Sequence, residues 1–164
     1  MIKNIILVRH AKSDWSVAGQ RDFDRTLNDR GHMDAPRMGI KFKDRGIMPD
    51  ILISSPALRA KLTAEYFAEQ LKYDFEKIVW NEDIYDASIR VLLNEISLFD
   101  DNWNTVMIFG HNPGLSYLAE YITKEEIGEI PTCSVMSIEF TIDSWKEVSQ
   151  GMGKISFYDY PKND

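Results

Sequence analysis

Cysteine is almost absent from this 164-residue sequence: Cys133 is the only one, so neither an intrachain disulfide nor a multi-cysteine zinc site can form. A reducing compartment suits such a chain. Basic charge is also in deficit, with 19 Lys and Arg against 26 Asp and Glu and a net charge of −7, which removes the basic face needed to grip nucleic acid or anionic lipid. Long hydrophobic runs are missing too. The N-terminal apolar stretch is interrupted at Arg9, too soon for a signal peptide or a membrane span, and the expected location is the cytoplasm. Repeats, low-complexity tracts and a GxxxxGK(S/T) phosphate loop are all lacking.

What remains is ordinary globular material, 44% hydrophobic and 27% charged. Its length allows one well-buried core, so residues 1–164 are expected to form a single domain. Residues 4–9 read as a buried strand, followed by a polar loop over 10–27 long enough to suggest a function. A helix is predicted over 29–44, with Asn28 or Asp29 near its start, Gly46 past its end and Pro36 implying a kink. Strand residues 50–54 then run into Ser55 as a helix N-cap and Pro56 at the first helical position. That helix should reach about residue 71, with Leu58, Leu62, Tyr66 and Phe67 at helical spacing. Residues 78–80 suggest a short strand, and residues 88–99 a helix whose Ile89, Leu92, Leu93 and Ile96 form one apolar face. Strand residues 105–109 repeat the corner, with Gly110 and His111 at the turn, Asn112 as N-cap and Pro113 opening a helix to about 122. Met136, Ile138, Phe140 and Ile142 alternate, as do residues 154–158 more briefly, which suggests two antiparallel edge strands. The expected fold is a three-layer α/β/α sandwich: a mainly parallel central sheet with antiparallel C-terminal edge strands.

Parallel strands joined by right-handed crossovers bring their C-terminal ends to one edge of the sheet. Arg9 and His10 end the first strand, Arg59 lies on the first turn of the helix after the second, and His111 ends a third. Two guanidiniums, two imidazoles and two helix N-termini at one edge make a local positive site inside an acidic protein, and phosphate is the anion it suits. A neutral imidazole can attack phosphorus and split one displacement into two. Arg9 and Arg59 disfavour imidazolium, lowering the His10 pKa, and stabilise the transferring group.

The motifs LVRHAKSDW, SSPALRA, NEDIY and GHNPG, in this order, resemble the histidine phosphatase superfamily, once called phosphoglycerate mutase-like; the compact SixA-type phosphohistidine phosphatases are the best match. The stretch DFDRTLNDRGHMDAP reinforces that branch, and the resemblance runs from about residue 3 to 141. It implies that His10 is the nucleophile, transiently phosphorylated, while Arg9, Arg59 and His111 hold phosphoryl oxygens. It also implies Glu82 of WNEDIY as proton donor, although an imidazole leaving group needs little help. Ser16 and Arg25, with Lys12, are further candidate phosphate contacts from the first loop. No metal or organic cofactor is expected. The substrate implied is phosphohistidine on a partner protein, because the short segments between corners leave little chain for a lid over a small molecule.

Other chemistries leave weaker traces. DFDRT, residues 22–26, matches the DxDxT pattern of aspartyl-phosphate phosphatases, but no buried strand precedes Asp22. A cysteine phosphatase needs Arg six positions after its cysteine, where Cys133 has Glu139. A metal held by His10 and His111 lacks a third ligand and would sit beside Arg9. His32 reads as a solvated surface residue. A broad phosphomonoesterase or mutase for small phosphorylated metabolites, and a noncatalytic phosphate-binding module, stand as alternatives.

Overall fold

The computed structural model describes residues 1–162. Ten regular elements follow one another as β1 (Ile2–Arg9), α1 (Asp29–Asp44), β2 (Ile51–Ser54), α2 (Leu58–Leu71), β3 (Val79–Trp80), α3 (Ile89–Ser97), β4 (Thr105–Gly110), α4 (Gly114–Thr123), β5 (Val135–Thr141) and β6 (Lys154–Asp159). The six strands form one sheet in the order β3-β2-β4-β1-β5-β6. The first four in that order are mutually parallel, whereas β5 runs antiparallel to both β1 and β6.

The continuous apolar runs of β1 and β4 are explained by burial on both faces. Ile5 and Leu7 of β1 join Val106 and Ile108 of β4 in a core closed by Leu92 and Ile96 of α3 and by Leu115, Leu118 and Ile122 of α4. The intervening Ile6, Val8, Met107 and Phe109 face the other way, onto Met38 and Phe42 of α1 and Ala64, Phe67 and Ala68 of α2. The predicted α/β/α sandwich therefore stands. Asn28 caps α1 through its side chain, which accepts from the Gly31 N–H, and Ser88 caps α3 by accepting from Val91. Pro36 lies within α1 as expected.

Four readings need correction. β5 is an interior strand, not an edge: Val135 and Ser137 are buried together with Met136, Ile138 and Phe140, because β6 takes the edge beside it. Helix α2 starts at Leu58, with Ala57 as an N-cap lacking a side-chain bond; the Ser55 hydroxyl is turned instead to the Ala57 N–H and to His111. Likewise α4 starts at Gly114, after a cis Asn112–Pro113 bond. The Asn112 side chain accepts from the backbone N–H and hydroxyl of Ser116. The inward face of α2 is also smaller than expected: Ala60, Thr63, Ala64 and Ala68 surround Phe67, with Leu62 and Tyr66 at the margin of the core.

Register places the strand ends side by side. Arg9 is paired with Gly110 and Ser54 with Phe109. Past those pairs, the His10 N–H donates to the Gly110 carbonyl and the Ser55 N–H to that of Phe109, both at 3.0 Å. Two glycines bring loops against this edge. A Cβ on Gly31 would lie 2.2 Å from the Lys12 carbonyl oxygen, and one on Gly114 would lie 2.3 Å from that of Ala87. Only glycine permits either approach.

Candidate active site

The strand ends open into a cavity of about 600 Å³ whose lining includes Arg9, His10, Arg25, Arg59 and His111. Arg9, His10, Arg59 and His111, which sequence reasoning assigned to three strand-end corners, are thus brought together. The His10 and His111 rings lie 5.2 Å apart, tilted by 52°. Both imidazoles are 8% exposed, and Arg59 and Arg25 are 5% and 7% exposed.

His10 Nδ1 is 2.7 Å from the Ala11 carbonyl oxygen. A carbonyl only accepts, so Nδ1 carries the proton and Nε2 of the neutral ring keeps its lone pair. The His10 pKa is lowered to about 4. Burial is the largest cause, opposed by the Ala11 carbonyl, with Arg59, Arg9 and Arg25 adding like-charge repulsion. The arginines that sequence reasoning invoked therefore act in the stated direction but rank below desolvation. His111 is lowered further, to about 3, by burial first and then by His10 and Arg59. Its Nε2 lies 2.8 Å from the Ser55 hydroxyl.

The arginines are anchored on one side and open on the other. Arg59 donates through Nη1 to the Asp22 carbonyl at 2.7 Å and through Nη2 to the Asp22 carboxylate at 2.9 Å. Arg25 donates to the same carboxylate at 2.9 Å and also to the Ser13 hydroxyl. The Tyr85 hydroxyl donates to Asp22 at 2.6 Å. That bond, followed by those from Arg25 and Arg59, holds the Asp22 carboxyl well below the usual carboxylate range. Arg9 donates to the Ile130 carbonyl at 2.7 Å and lies 3.5 Å from the Glu129 carboxylate. Among the described residues, the buried side-chain nitrogens and oxygens left without a partner are Arg9 Nε, Arg59 Nε and His111 Nδ1. All three belong to residues lining this cavity. Orphaned buried polar groups are uncommon and costly, so their concentration in one place marks a site built for a polar guest.

Two predicted contacts are not brought in. Glu82 opens a short 3-10 turn, Glu82–Ile84, in which Ile84 is the buried residue; its own side chain is exposed and does not line the cavity. Burial of Ile84 orients the turn so that Tyr85 and Asp86 reach the cavity instead. Ser16 is exposed, its N–H tied to the Asp14 carboxylate, while Ser13 takes the inward position. Lys12 does line the cavity. Sequence reasoning missed Ser55, Ser13 and Tyr85. It set aside DFDRT as a nucleophile motif, and Asp22 proves to be the carboxylate on which Arg25, Arg59 and Tyr85 converge. His32 is exposed and bonded to the Tyr66 hydroxyl at 2.8 Å, away from the cavity. Among the described residues, no cluster of three or more His, Cys, Asp or Glu could hold a metal ion, and no helix is long and apolar enough to cross a membrane.

Comparison with known proteins points the same way. Residues 5–85 match the model of the histidine phosphatase superfamily, branch 1. An uncharacterised chloroplast protein of Arabidopsis thaliana is 28% identical over 153 residues, covering 88% of this chain and 70% of that protein. A 2,3-bisphosphoglycerate-dependent phosphoglycerate mutase of Chelativorans is 41% identical over 75 residues, but the match spans 43% of this chain and 35% of the mutase. The mitochondrial serine/threonine-protein phosphatase Pgam5 of Drosophila ananassae is 36% identical over 77 residues, 47% of this chain and 26% of that one. Among solved structures, a provisionally assigned phosphohistidine phosphatase, SixA, from Agrobacterium tumefaciens superposes with a TM-score of 0.81 at 26% identity, covering 97% of this chain and 98% of its own. A protein histidine phosphatase SixA complexed with tungstate shares the fold, with a TM-score of 0.80 at 19% identity over 96% and 97% of the two chains. The ordered motifs, the strand-end cavity and these likenesses together support membership of the histidine phosphatase superfamily, and the chain has the SixA-type fold.

Proposed function

We propose that the protein is a phosphatase that takes a phosphoryl group from phosphohistidine on a partner protein onto His10 and then passes it to water. The observation that carries this reading is the set of three unpartnered buried nitrogens, on Arg9, Arg59 and His111, beside an imidazole whose Nε2 is free. A phosphoryl group supplies the acceptor oxygens that the two Nε–H groups lack, and His111 Nδ1 joins them as a donor in the tautomer whose Nε2 accepts from the Ser55 hydroxyl.

In the first step His10 Nε2 attacks phosphorus, forming a P–N bond while the substrate P–N bond breaks and its electron pair stays on the leaving nitrogen. A substrate ring protonated on its other nitrogen departs as neutral imidazole, so no protein acid is required. That agrees with the placement of Glu82 outside the cavity. In the second step water attacks the phosphoryl group, the P–Nε2 bond breaks, and inorganic phosphate leaves with His10 restored. Arg9, Arg59 and His111 act on the equatorial oxygens in both steps, where preorganised donors are commonly worth about 3–4 kcal/mol each. Low pKa values keep both imidazoles neutral at pH 7, so His10 needs no deprotonation before attack.

A second reading, a phosphomonoesterase or mutase for small phosphorylated metabolites, is favoured by the partial matches to phosphoglycerate mutases. One assay separates them. Wild type and His10→Ala are compared on a histidine-phosphorylated protein, a small phosphoramidate, an aryl phosphate and a phosphoglycerate. The proposal expects the phosphoprotein to be the best substrate and His10→Ala to be inactive. Preference for the phosphoglycerate, with an isomerised product, establishes the second reading. Binding without turnover of any of them leaves a noncatalytic module.

A further inference from the structure

The phosphoryl site occupies only the floor of the cavity, and its mouth carries an unusual side chain. Trp15 lines the cavity yet is 76% exposed, although an indole left in water forfeits one of the largest apolar gains any residue can make. It is nonetheless held in place. The Arg25 guanidinium carbon lies 3.5 Å from the centroid of the Trp15 ring, which is direct stacking. Arg25 is itself fixed from behind by the Asp22 carboxylate and the Ser13 hydroxyl. One face of the indole is thus clamped by a cation that cannot turn, and solvent has access to the rest. Tyr85 lines the same cavity, edge-on to His111 with ring centroids 5.5 Å apart.

We infer that Trp15 is a specificity-determining residue: its ring forms a shelf at the cavity mouth that receives a planar aromatic leaving group, such as the imidazole of phosphohistidine. This rests on the reading of the cavity floor as a phosphoryl site. The shelf has a defined orientation before substrate arrives, so stacking on it costs little further ordering. Its partner cation withdraws density from the face it covers, and the indole edge and outer face stay free for a flat ring, charged or neutral. An alkyl or unsubstituted leaving group gains nothing there.

The test needs no turnover. Phenylphosphonate and methylphosphonate, which share the oxyanion and differ in the ring, are titrated calorimetrically into wild type, Trp15→Ala and Trp15→Phe. The expected result is tighter binding of the phenyl compound by wild type, and a loss of that preference by roughly fivefold in Trp15→Ala. Trp15→Phe should restore most of it, and methylphosphonate affinity should be the same in all three. Equal weakening of both ligands in Trp15→Ala would overturn the inference, because Trp15 would then act only by steadying Arg25. An unchanged preference would overturn it as well. Failure of both phosphonates to bind wild type strikes the phosphoryl-site reading itself, and so is distinct from failure of the shelf.

Discussion

Strand β1 carries a cation at each end, and the two are held in opposite ways. Lys3, near the start, is fully buried, and its ammonium donates to the carbonyls of Asp101 and Trp103 and to the Asn104 side chain, at 2.7, 3.0 and 3.2 Å. It also lies over the Trp145 ring at 5.3 Å. Every proton of that ammonium has an acceptor. Arg9, at the far end, gives one bond to a carbonyl and leaves Nε with none. The contrast separates stability from function along 8 residues of a single strand. The N-terminal edge of the sheet closes its polar groups on one another, whereas the C-terminal edge keeps donors open for a guest. The same division appears among histidines: His32 is exposed and satisfied by Tyr66, while His111 is buried with Nδ1 unpaired.

That comparison breaks if substitutions at the two edges have similar effects. At the C-terminal edge, His10→Ala should lower kcat by at least about 1,000-fold on any phosphoryl substrate, since the covalent route is removed. Arg59→Ala should cost about 100- to 1,000-fold in kcat, as for loss of one preorganised donor. Steady-state kinetics with a phosphoramidate measures both, and thermal melts should show neither variant unfolded at pH 7.

Acid provides the next test. With His10 lowered to about 4 in the folded state against an ordinary 6.5, the unfolded chain binds more protons between those values, so stability rises with pH through that window and falls on acidification. The His10 share is about 3 kcal/mol. Melts of wild type and His10→Ala at pH 7 and pH 4 should show the smaller loss in the variant. Activity should keep its neutral nucleophile down to about pH 4, once the ionisation of the substrate is allowed for.

At the N-terminal edge Lys3→Met should act in reverse, lowering stability by about 1–3 kcal/mol as the Asp101 carbonyl and the Asn104 side chain lose this donor and the Trp103 carbonyl keeps only the Trp145 indole N–H, while leaving kcat unchanged. The smallest effect belongs to Glu82→Gln and Ser16→Ala, each expected to change kcat/KM by less than about twofold, as for solvated surface groups. A large loss in Glu82→Gln would restore it as a proton donor.

How much of this was legible in the chain depends on the range of the interaction involved. The buried runs of β1 and β4 announce strands covered on both faces, and register then delivers His10 and His111 to one edge without further information. The helix starts at Asn28 and Ser88 were readable because such signals are local. Ser55 and Asn112 were misplaced as caps because each side chain serves a distant or later partner, His111 in one case and Ser116 in the other. In β5, Ser137 looked outward by alternation, yet it is small enough to be buried where β6 covers it. Glu82 came from the family resemblance alone. Which way its turn faces is decided by burial of Ile84 and by the Tyr85–Asp22 bond, a contact across 63 positions that no periodicity encodes.

The central claim is that the open edge holds a phosphoryl group on His10. Base-quenching the protein within milliseconds of mixing it with a phosphoramidate, followed by mass spectrometry of peptides kept from acid, tests this directly. The account expects one alkali-stable, acid-labile phosphoryl group on the peptide containing His10 and none in His10→Ala. A phosphoryl group on another residue, or full turnover with no phosphorylated protein at any time, would contradict it.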